Sequence, residues 1–350
     1  MRQAGPIELS SSMKNERIFI FRKGDPSVLK LISDEVNPPR PDEVLIRIRS
    51  AGVSFADVMV REGIYPGVKL PVTPGYDVVG EVESVGDEVR NFRKGDRVAA
   101  MTVVGGYSRY ISVPSRHVVP VPSDLESGAA VSMVLNYLTA FQMIKRCTHV
   151  VAGDAILVHG AAGGVGTALL QLASIEGLKA FGTASGGKLH LVEQLGGVPI
   201  DYKKEDFVTR VRRDTTDGVT AVFDFVAGSH AGRSYQALRS TGTLVCYGAF
   251  GVTANGHVQP LKALMTLLRD PSFKPIGLLG DNKGCVGYNT RMWRDSRPDL
   301  YAADLGTLFA WLKEGRIAPV IGARFPLQNA ADAHHLLNRR GVSGKIVLDC

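Results

Sequence analysis

One stretch constrains the fold of this chain more than any other: ILVHGAAGGVGTALLQLA, residues 156–173. An apolar, strand-like run passes through Gly160-Ala161-Ala162-Gly163-Gly164-Val165-Gly166 directly into an apolar helical pattern. Glycines let backbone approach a pyrophosphate, and a helix N-terminus offers unpaired N–H groups and the positive end of a dipole. Two alanines follow Gly160, so the spelling departs from a strict GxGxxG, and a tight turn in another α/β fold is the alternative. The surrounding order favours dinucleotide binding. KAFGT (179–183), a helical stretch at 187–195, AVFDFV (221–226) and TLVCYG (243–248) follow, and KPIGLLG (274–280) is expected as a further strand. Strands alternating with helices predict βαβ units and a parallel sheet covered on both faces, fold class α/β.

The rest of the chain has a different texture. RIFIF (17–21), VLIRIRSAGV (44–53), DVVGEVESVG (77–86) and DRVAAMTVV (96–104) are Val/Ile-rich and bounded by Gly, Pro or Asp, which predicts short strands joined by turns. DLESGAAVSMVLNYLTAFQMI then reads as helix, with Ser123 or Asp124 as its cap. After residue 318, PVIGARF and KIVLDC read as strands around a helix at AADAHHLL. The chain therefore leaves a β-rich domain, builds an α/β domain and returns.

At 350 residues the chain has room for two domains. No apolar run approaches the ~18 residues of a membrane-spanning helix. Cys147, Cys246, Cys285 and Cys350 are too widely spaced for a disulfide framework or a CxxC metal site, so a reducing, cytoplasmic setting is expected. The net charge of +7 is scattered. Its densest cluster (Lys203, Lys204, Arg210, Arg212, Arg213) reads as a solvated face. There is no aromatic-and-basic repeat for RNA and no long basic amphipathic helix for a membrane surface.

Cofactor choice is legible at the end of the second strand, FGTASGGK (181–188). An NAD site places Asp or Glu here to hold the ribose 2′-OH. This window holds none; Thr183, Ser185 and Lys188 instead offer donors to a 2′-phosphate, so NADPH is expected. Lys188 also reads as an exposed charge on a first helical turn.

The segments SAGVSFADVMVREGIYPGVKLPVTPGYDVVGEVESVG (50–86), FRKGDRV (92–98), NYLTAF (136–141), VHGAAGGVG (158–166) and SGKIVL (343–348) together resemble the zinc-free quinone oxidoreductase, or zeta-crystallin, branch of the medium-chain dehydrogenases/reductases. VHGAAGGVG, FGTAS, PIDY and the EGRIAPVIG ending are most similar to the synaptic vesicle membrane protein homologues of that branch. The resemblance implies a GroES-like catalytic domain over 1–136 (1–15 a loose tail), a Rossmann NADPH domain over 137–316, and a return to the catalytic domain over 317–350. It places the active site in the cleft between the domains. It also implies a homodimer paired through Rossmann edge strands, here KPIGLLG.

Zinc-dependent relatives carry Cys at the position of Ser54 and His–Glu at Tyr76-Asp77, together with a four-cysteine lobe absent here. Catalytic zinc needs about three Cys, His or carboxylate ligands; only Asp77 offers one, so no metal is expected. Hydride delivered to a quinone or enone leaves negative charge on oxygen, which then falls to hydrogen-bond donors. Tyr65, in REGIYPG, matches the family tyrosine over the nicotinamide and is expected as proton donor or substrate-positioning residue; stacking or core filling is the alternative. Ser54 stands where many members have Asn, and its hydroxyl can donate.

The resemblance further assigns Thr139 to the ribose or nicotinamide, Tyr202 to the adenosine, Arg340 to the 2′-phosphate side, and Tyr247 and Gly248 to the nicotinamide, beside the turn residues Gly160, Ala162, Gly163, Gly164, Val165 and Gly166. Asp224, His149, His159, His230, His334 and His335 read as structural, and Cys246 as packing. Residues 281–306 form a long connection, in which Tyr288, Met292 and Trp293 suggest an adaptable lid over a planar substrate; a loop packed on its own domain or a dimer partner is the alternative. The leading function is NADPH:quinone oxidoreductase, by one-electron or hydride transfer. Its rivals are an enoyl or alkenal reductase and an NADPH-binding protein with little turnover and a structural, RNA- or membrane-associated role.

Overall fold

The computed structural model describes residues 13–254, 257–258, 264–266, 268–339 and 341–350. In chain order, β1 (Lys14–Ile20) and β2 (Leu29–Glu35) pair as an antiparallel ribbon. β3 (Glu43–Val53), β4 (Asp77–Val85), β5 (Arg97–Met101), β6 (Tyr110–Pro114) and β7 (Val118–Pro120) begin one sheet. Helix α1 (Phe55–Arg61) follows β3. Helices α2 (Ser127–Ser132) and α3 (Leu138–Cys147) then lead to the second sheet. That sheet contains β8 (Ala155–Val158), β9 (Lys179–Ala184), β10 (Val198–Asp201), β11 (Val219–Asp224) and β12 (Leu238–Cys246). A short ribbon, β13 (Thr253–Ala254) with β14 (His257–Val258), precedes β15 (Gly284–Gly287), the sixth strand of that sheet. β16 (Ile321–Pro326) and β17 (Lys345–Asp349) return to the first sheet, which runs β16-β17-β3-β4-β5-β7 with β6 on β3.

The second sheet runs β10-β9-β8-β11-β12-β15, all parallel. Numbered from β8, this is the order 3-2-1-4-5-6 of a dinucleotide-binding fold, and the reversal between β8 and β11 opens a crevice at their carboxyl ends. Alternation within β8 shows why both faces need cover. Ile156 and Val158 join a core with Leu169, Phe223 and Phe309, whereas Leu157 joins Phe181, Phe207, Val222 and Leu244 on the opposite face.

Three expectations are corrected. KPIGLLG is a helix, Pro275–Asp281, with proline in its first turn. Proline has no N–H for a ladder and is tolerated at a helix start, and Ile276 and Leu279 recur at helical spacing. The sheet edge is instead Gly284–Gly287, paired with β12. Second, 281–306 is not a long loop: it holds that strand, the helix Thr290–Ser296 and the start of the helix Pro298–Lys313. Third, α2 is capped by Glu126, which accepts from the N–H groups of Gly128 and Ala129, rather than by Ser123 or Asp124. A π-helical turn, Met133–Tyr137, separates α2 from α3.

An ion pair fastens the returning strand. Lys345 Nζ on β17 lies 2.7 Å from Asp77 Oδ2 on β4, both side chains being almost wholly buried. They meet across the intervening β3 because Gly52 has no side chain; a Cβ there would lie 2.3 Å from Lys345 Nζ and 2.5 Å from Asp77 Oδ1. Removing one partner of such a pair leaves a buried charge uncompensated. Lys345→Met is expected to cost roughly 3–5 kcal/mol in denaturant melts, and Asp77→Leu added to it should recover most of the loss.

Candidate active site

The glycine turn is built from beneath. Gly160 takes φ +61°, a conformation glycine adopts without strain. Gly163 N–H donates to Gly160 O at 2.8 Å and occupies the N-cap of α4 (Gly164–Ile175) without side-chain capping. A Cβ on Gly166 would lie 2.3 Å from Gly160 O. The first-turn N–H groups of Gly164, Val165 and Gly166 have no intrahelical acceptor. With Ala162 beside them, they form a cradle that fits a pyrophosphate.

Hydrogen bonds from the next strand down hold this turn. Asp224 Oδ2 accepts from Ser234 Oγ at 2.6 Å and from His230 Nδ1 at 2.7 Å. Since a carboxylate only accepts, Ser234 donates to it and receives His159 Nε2–H at 3.0 Å. His159 Nδ1 then accepts from Thr183 Oγ1 (3.2 Å), which in turn receives Gly160 N–H at 3.2 Å. Burial pushes the His159 imidazole down to about 3, so it is neutral, as this chain of donors requires. Burial opposes the Asp224 charge, but the His230 hydrogen bond and the other surrounding donors outweigh it and hold the carboxyl below the usual range. Single ligating atoms of His159, Asp224 and His230 lie within 4.8 Å of one another, close enough for a cation. The hydrogen bonds just traced occupy them without one.

Thr183 is therefore corrected. Its hydroxyl is buried under the turn, not presented to a 2′-phosphate. Ser185 follows at the mouth of β9, and Lys188 Nζ reaches the Val342 carbonyl at 2.5 Å. Tyr202 is half exposed just past β10. Arg340 lies outside the described residues. Tyr247 follows β12, and a Cβ on Gly248 would lie 2.9 Å from Phe225 O, so the two backbone segments are closely packed there.

Across the cleft, Ser54 caps α1. Its N–H and Oγ both reach Asp57 Oδ2, at 2.8 and 2.7 Å. Burial pushes the Asp57 carboxyl up to about 6, against the pull of the Ser54 hydrogen bonds. The Ser54 hydroxyl hydrogen is thus already engaged, which corrects the expectation that it is free to donate to substrate. Tyr65 OH lies 2.9 Å from the hydroxyl of Tyr76, with ring centroids 6.0 Å apart. Phe55 packs edge-on against Phe250 at 4.9 Å, and Phe250 packs against Phe225, so aromatic rings join α1 to the loops beyond β11 and β12.

Residues 40–123 match the family model of the alcohol dehydrogenase GroES-like domain, and residues 196–348 that of the zinc-binding dehydrogenases. The chain is 32% identical over 340 residues to the quinone oxidoreductase of Mus musculus, covering 95% of this chain and 96% of that one. It belongs to the zeta-crystallin-like branch of the medium-chain dehydrogenases/reductases. The synaptic vesicle membrane protein VAT-1 homolog of Danio rerio is 32% identical over 310 residues, 87% of this chain; this chain covers 64% of that relative's length. A mycobacterial protein solved in complex with NADPH is similar with TM-score 0.84 at 30% identity, over 96% of this chain and 100% of its own.

At the three positions that the resemblance compares with a zinc site, the chain presents an engaged Ser54 hydroxyl, a phenol on Tyr76, and an Asp77 carboxylate tied to Lys345. That donor set does not fit a zinc ion, which needs about three free N, S or carboxylate ligands. The lid expectation also fails for Tyr288. It is buried, donates to Gln142 Oε1 at 2.8 Å and stacks on Trp293 at 6.4 Å, so it links helices rather than facing a substrate. Trp293 packs partly buried against the same core. Thr139 lies one turn before Gln142 on α3, also buried.

Three contributors escaped the sequence reading. Asn136, in the π-helical turn, sits where a Cβ on Gly164 would be, 2.2 Å from that point, and so abuts the start of α4. Phe225 and Phe250 form the aromatic bridge. The one available signal was the NYLTAF segment, whose first residue is Asn136.

Three histidines are kept neutral chiefly by burial: His159 and His334 near 3 and His117 near 4. Unfolding exposes them to protonation near their ordinary 6.5, so stability is present above that pH and falls as pH drops from about 6.5 toward 4. Asp57 and Asp77, both raised by burial, act with the opposite sign but are two groups against three. Calorimetry from pH 7.5 to 5 should show Tm falling steadily, and His334→Gln should flatten the slope by about 1.4 kcal/mol per pH unit.

Proposed function

We propose that this chain is a zinc-independent, NADPH-dependent oxidoreductase that reduces quinones. The observation that carries the reading is the pairing of a glycine-flanked phosphate cradle at Gly164–Gly166 with a second-strand end bearing Ser185 and Lys188 and no acid. The mouse relative's name and the NADPH complex of the mycobacterial relative support it.

NADPH, when bound, supplies a hydride to the acceptor. The α4 N-terminus would hold its pyrophosphate, and Ser185 and Lys188 would hold its 2′-phosphate, with Lys188 exchanging the Val342 carbonyl for the anion. Tyr202 would flank the adenosine, and Tyr247, Gly248 and Thr139 would bound the nicotinamide end. Tyr65 hydroxyl would donate to the acceptor oxygen as charge develops there, and water would restore its proton. The aromatic bridge of Phe55, Phe225 and Phe250 keeps that end of the cleft apolar, where hydrogen bonds to an oxyanion are strong. Zinc independence rests on the tied Asp77 and the phenol of Tyr76.

The same reading divides the chain at 136/137 and 316/317. It takes the active form as a homodimer joined at the Gly284–Gly287 edge; Ile276 and Leu279, on the helix that leads into this strand, are 75% and 76% exposed. It places the protein in the cytoplasm; four free thiols fit a reducing compartment, and no helix among the described residues is long and apolar enough to cross a membrane.

The test is reduced-nicotinamide oxidation with 9,10-phenanthrenequinone, p-benzoquinone and a 2-alkenal in parallel, using NADPH and NADH. Quinone turnover with preference for NADPH is expected. Alkenal turnover alone would replace the reading with an enoyl reductase, and NADPH binding without turnover would replace it with a binding role. Ser185→Asp should raise KM for NADPH by roughly tenfold while sparing NADH, by like-charge repulsion at the 2′-phosphate.

A further inference from the structure

Tyr76 is a residue with no role so far beyond the one it withholds from zinc. It begins the run into β4, is only 3% exposed, and its hydroxyl has one partner among the described residues, Tyr65 OH at 2.9 Å. The proton positions of this pair follow from counting. A phenol has one hydrogen to donate, and a buried hydroxyl hydrogen without an acceptor is costly. If Tyr65 donated to Tyr76, the Tyr76 hydrogen would have nowhere to go. The satisfied arrangement is Tyr76 O–H donating to the Tyr65 oxygen, which leaves the Tyr65 hydrogen free. The edge-on rings, at 69°, hold the two oxygens together while their faces pack elsewhere. The helix Thr290–Ser296 adds positive charge near Tyr76 from Arg291 and Arg294.

From this geometry we propose that Tyr76 is a positioning residue for the reduction, its hydroxyl aiming the Tyr65 proton at the acceptor oxygen and stabilising the charge left on Tyr65 when that proton departs. The inference rests on the proposed reductase reading and deepens it. The bookkeeping is simple: hydride adds to the acceptor, the Tyr65 O–H bond breaks as a new O–H bond forms on the acceptor oxygen, and the phenolate remaining on Tyr65 accepts the Tyr76 hydrogen bond until water reprotonates it. The hydrogen bond from Tyr76 through Tyr65 thereby counters oxyanion charge. A charge-assisted hydrogen bond of this kind strengthens when its acceptor becomes anionic, so its effect is concentrated in the transition state.

The test compares wild type, Tyr65→Phe, Tyr76→Phe and the double variant. Each change removes only an oxygen. Two readouts are taken: steady-state quinone reduction, and binding of 4-nitrophenol to the NADP⁺-loaded protein, where bound nitrophenolate mimics the oxyanion and its absorbance reports ionisation. Tyr76→Phe is expected to lower kcat roughly tenfold with KM for NADPH unchanged, and to weaken nitrophenolate binding by a similar factor. In the Tyr65→Phe background the same change should cost nothing further, since the effect passes through Tyr65. Equal losses in both backgrounds, a change below twofold, or wild type that binds no nitrophenolate would overturn the proposal. If wild type turns over no acceptor yet binds nitrophenolate and loses it in Tyr76→Phe, the reductase reading fails while the tyrosine pair stands.

Discussion

The dipeptide Gly344-Lys345 bonds both sheets within one step of backbone. Lys345 Nζ crosses β3 at Gly52 to reach Asp77, and Lys345 N–H donates to Val320 O. One residue earlier, Gly344 N–H donates to the carbonyl of Ala162, inside the phosphate turn, at 2.9 Å. A single step of backbone thus bonds the catalytic sheet on one side and the dinucleotide turn on the other. Gly344 adopts φ +73°, and a Cβ there would lie 2.1 Å from Val320 O, so only glycine fits this junction. Cleft geometry follows from it, since Ser54 and Tyr65 flank α1, which follows β3 of one sheet, and the cradle follows β8 of the other.

The cradle is rigid for a different reason. Its glycines remove side chains, which alone would leave a floppy loop. The donor chain from Asp224 through Ser234, His159 and Thr183 to Gly160 N–H spans the switch point and fixes each proton. Two adjacent strands, β8 and β11, are tied at their carboxyl ends by buried polar groups whose mutual hydrogen bonds offset the cost of their desolvation. A neutral His159 is part of that design, which is why acid should loosen this fold.

Much of this was legible in the sequence, where steric or periodic rules act locally. The Gly160–Gly166 run, the βαβ alternation and the return of the C-terminal strands follow from glycine content and period alone. What was misread depends on tertiary context. KPIGLLG has the apolar density of a strand, yet its proline and the exposure of Ile276 and Leu279 make it a surface helix. The 281–306 segment lacks a strong period because its helices bury mixed faces, with Tyr288 turned inward to Gln142. The Ser54 hydroxyl looked available until Asp57, three residues on, closed a capping box over it. Tyr76 was noticed only as a missing histidine, because its partner, Tyr65, is brought to it by folding. Asp224, His159 and His230 read as structural, and their joint role under the turn required the parallel register of β8 and β11.

The account stands on a reductase whose oxyanion is met by phenols and not by a metal. The most direct measurement is quinone turnover per chain set against zinc content by elemental analysis, for protein as purified, after exhaustive chelation, and after zinc is restored. The account predicts one rate across all three samples, with zinc well below one per chain in the active chelated protein. A rate that falls with chelation and returns in proportion to bound zinc would contradict it.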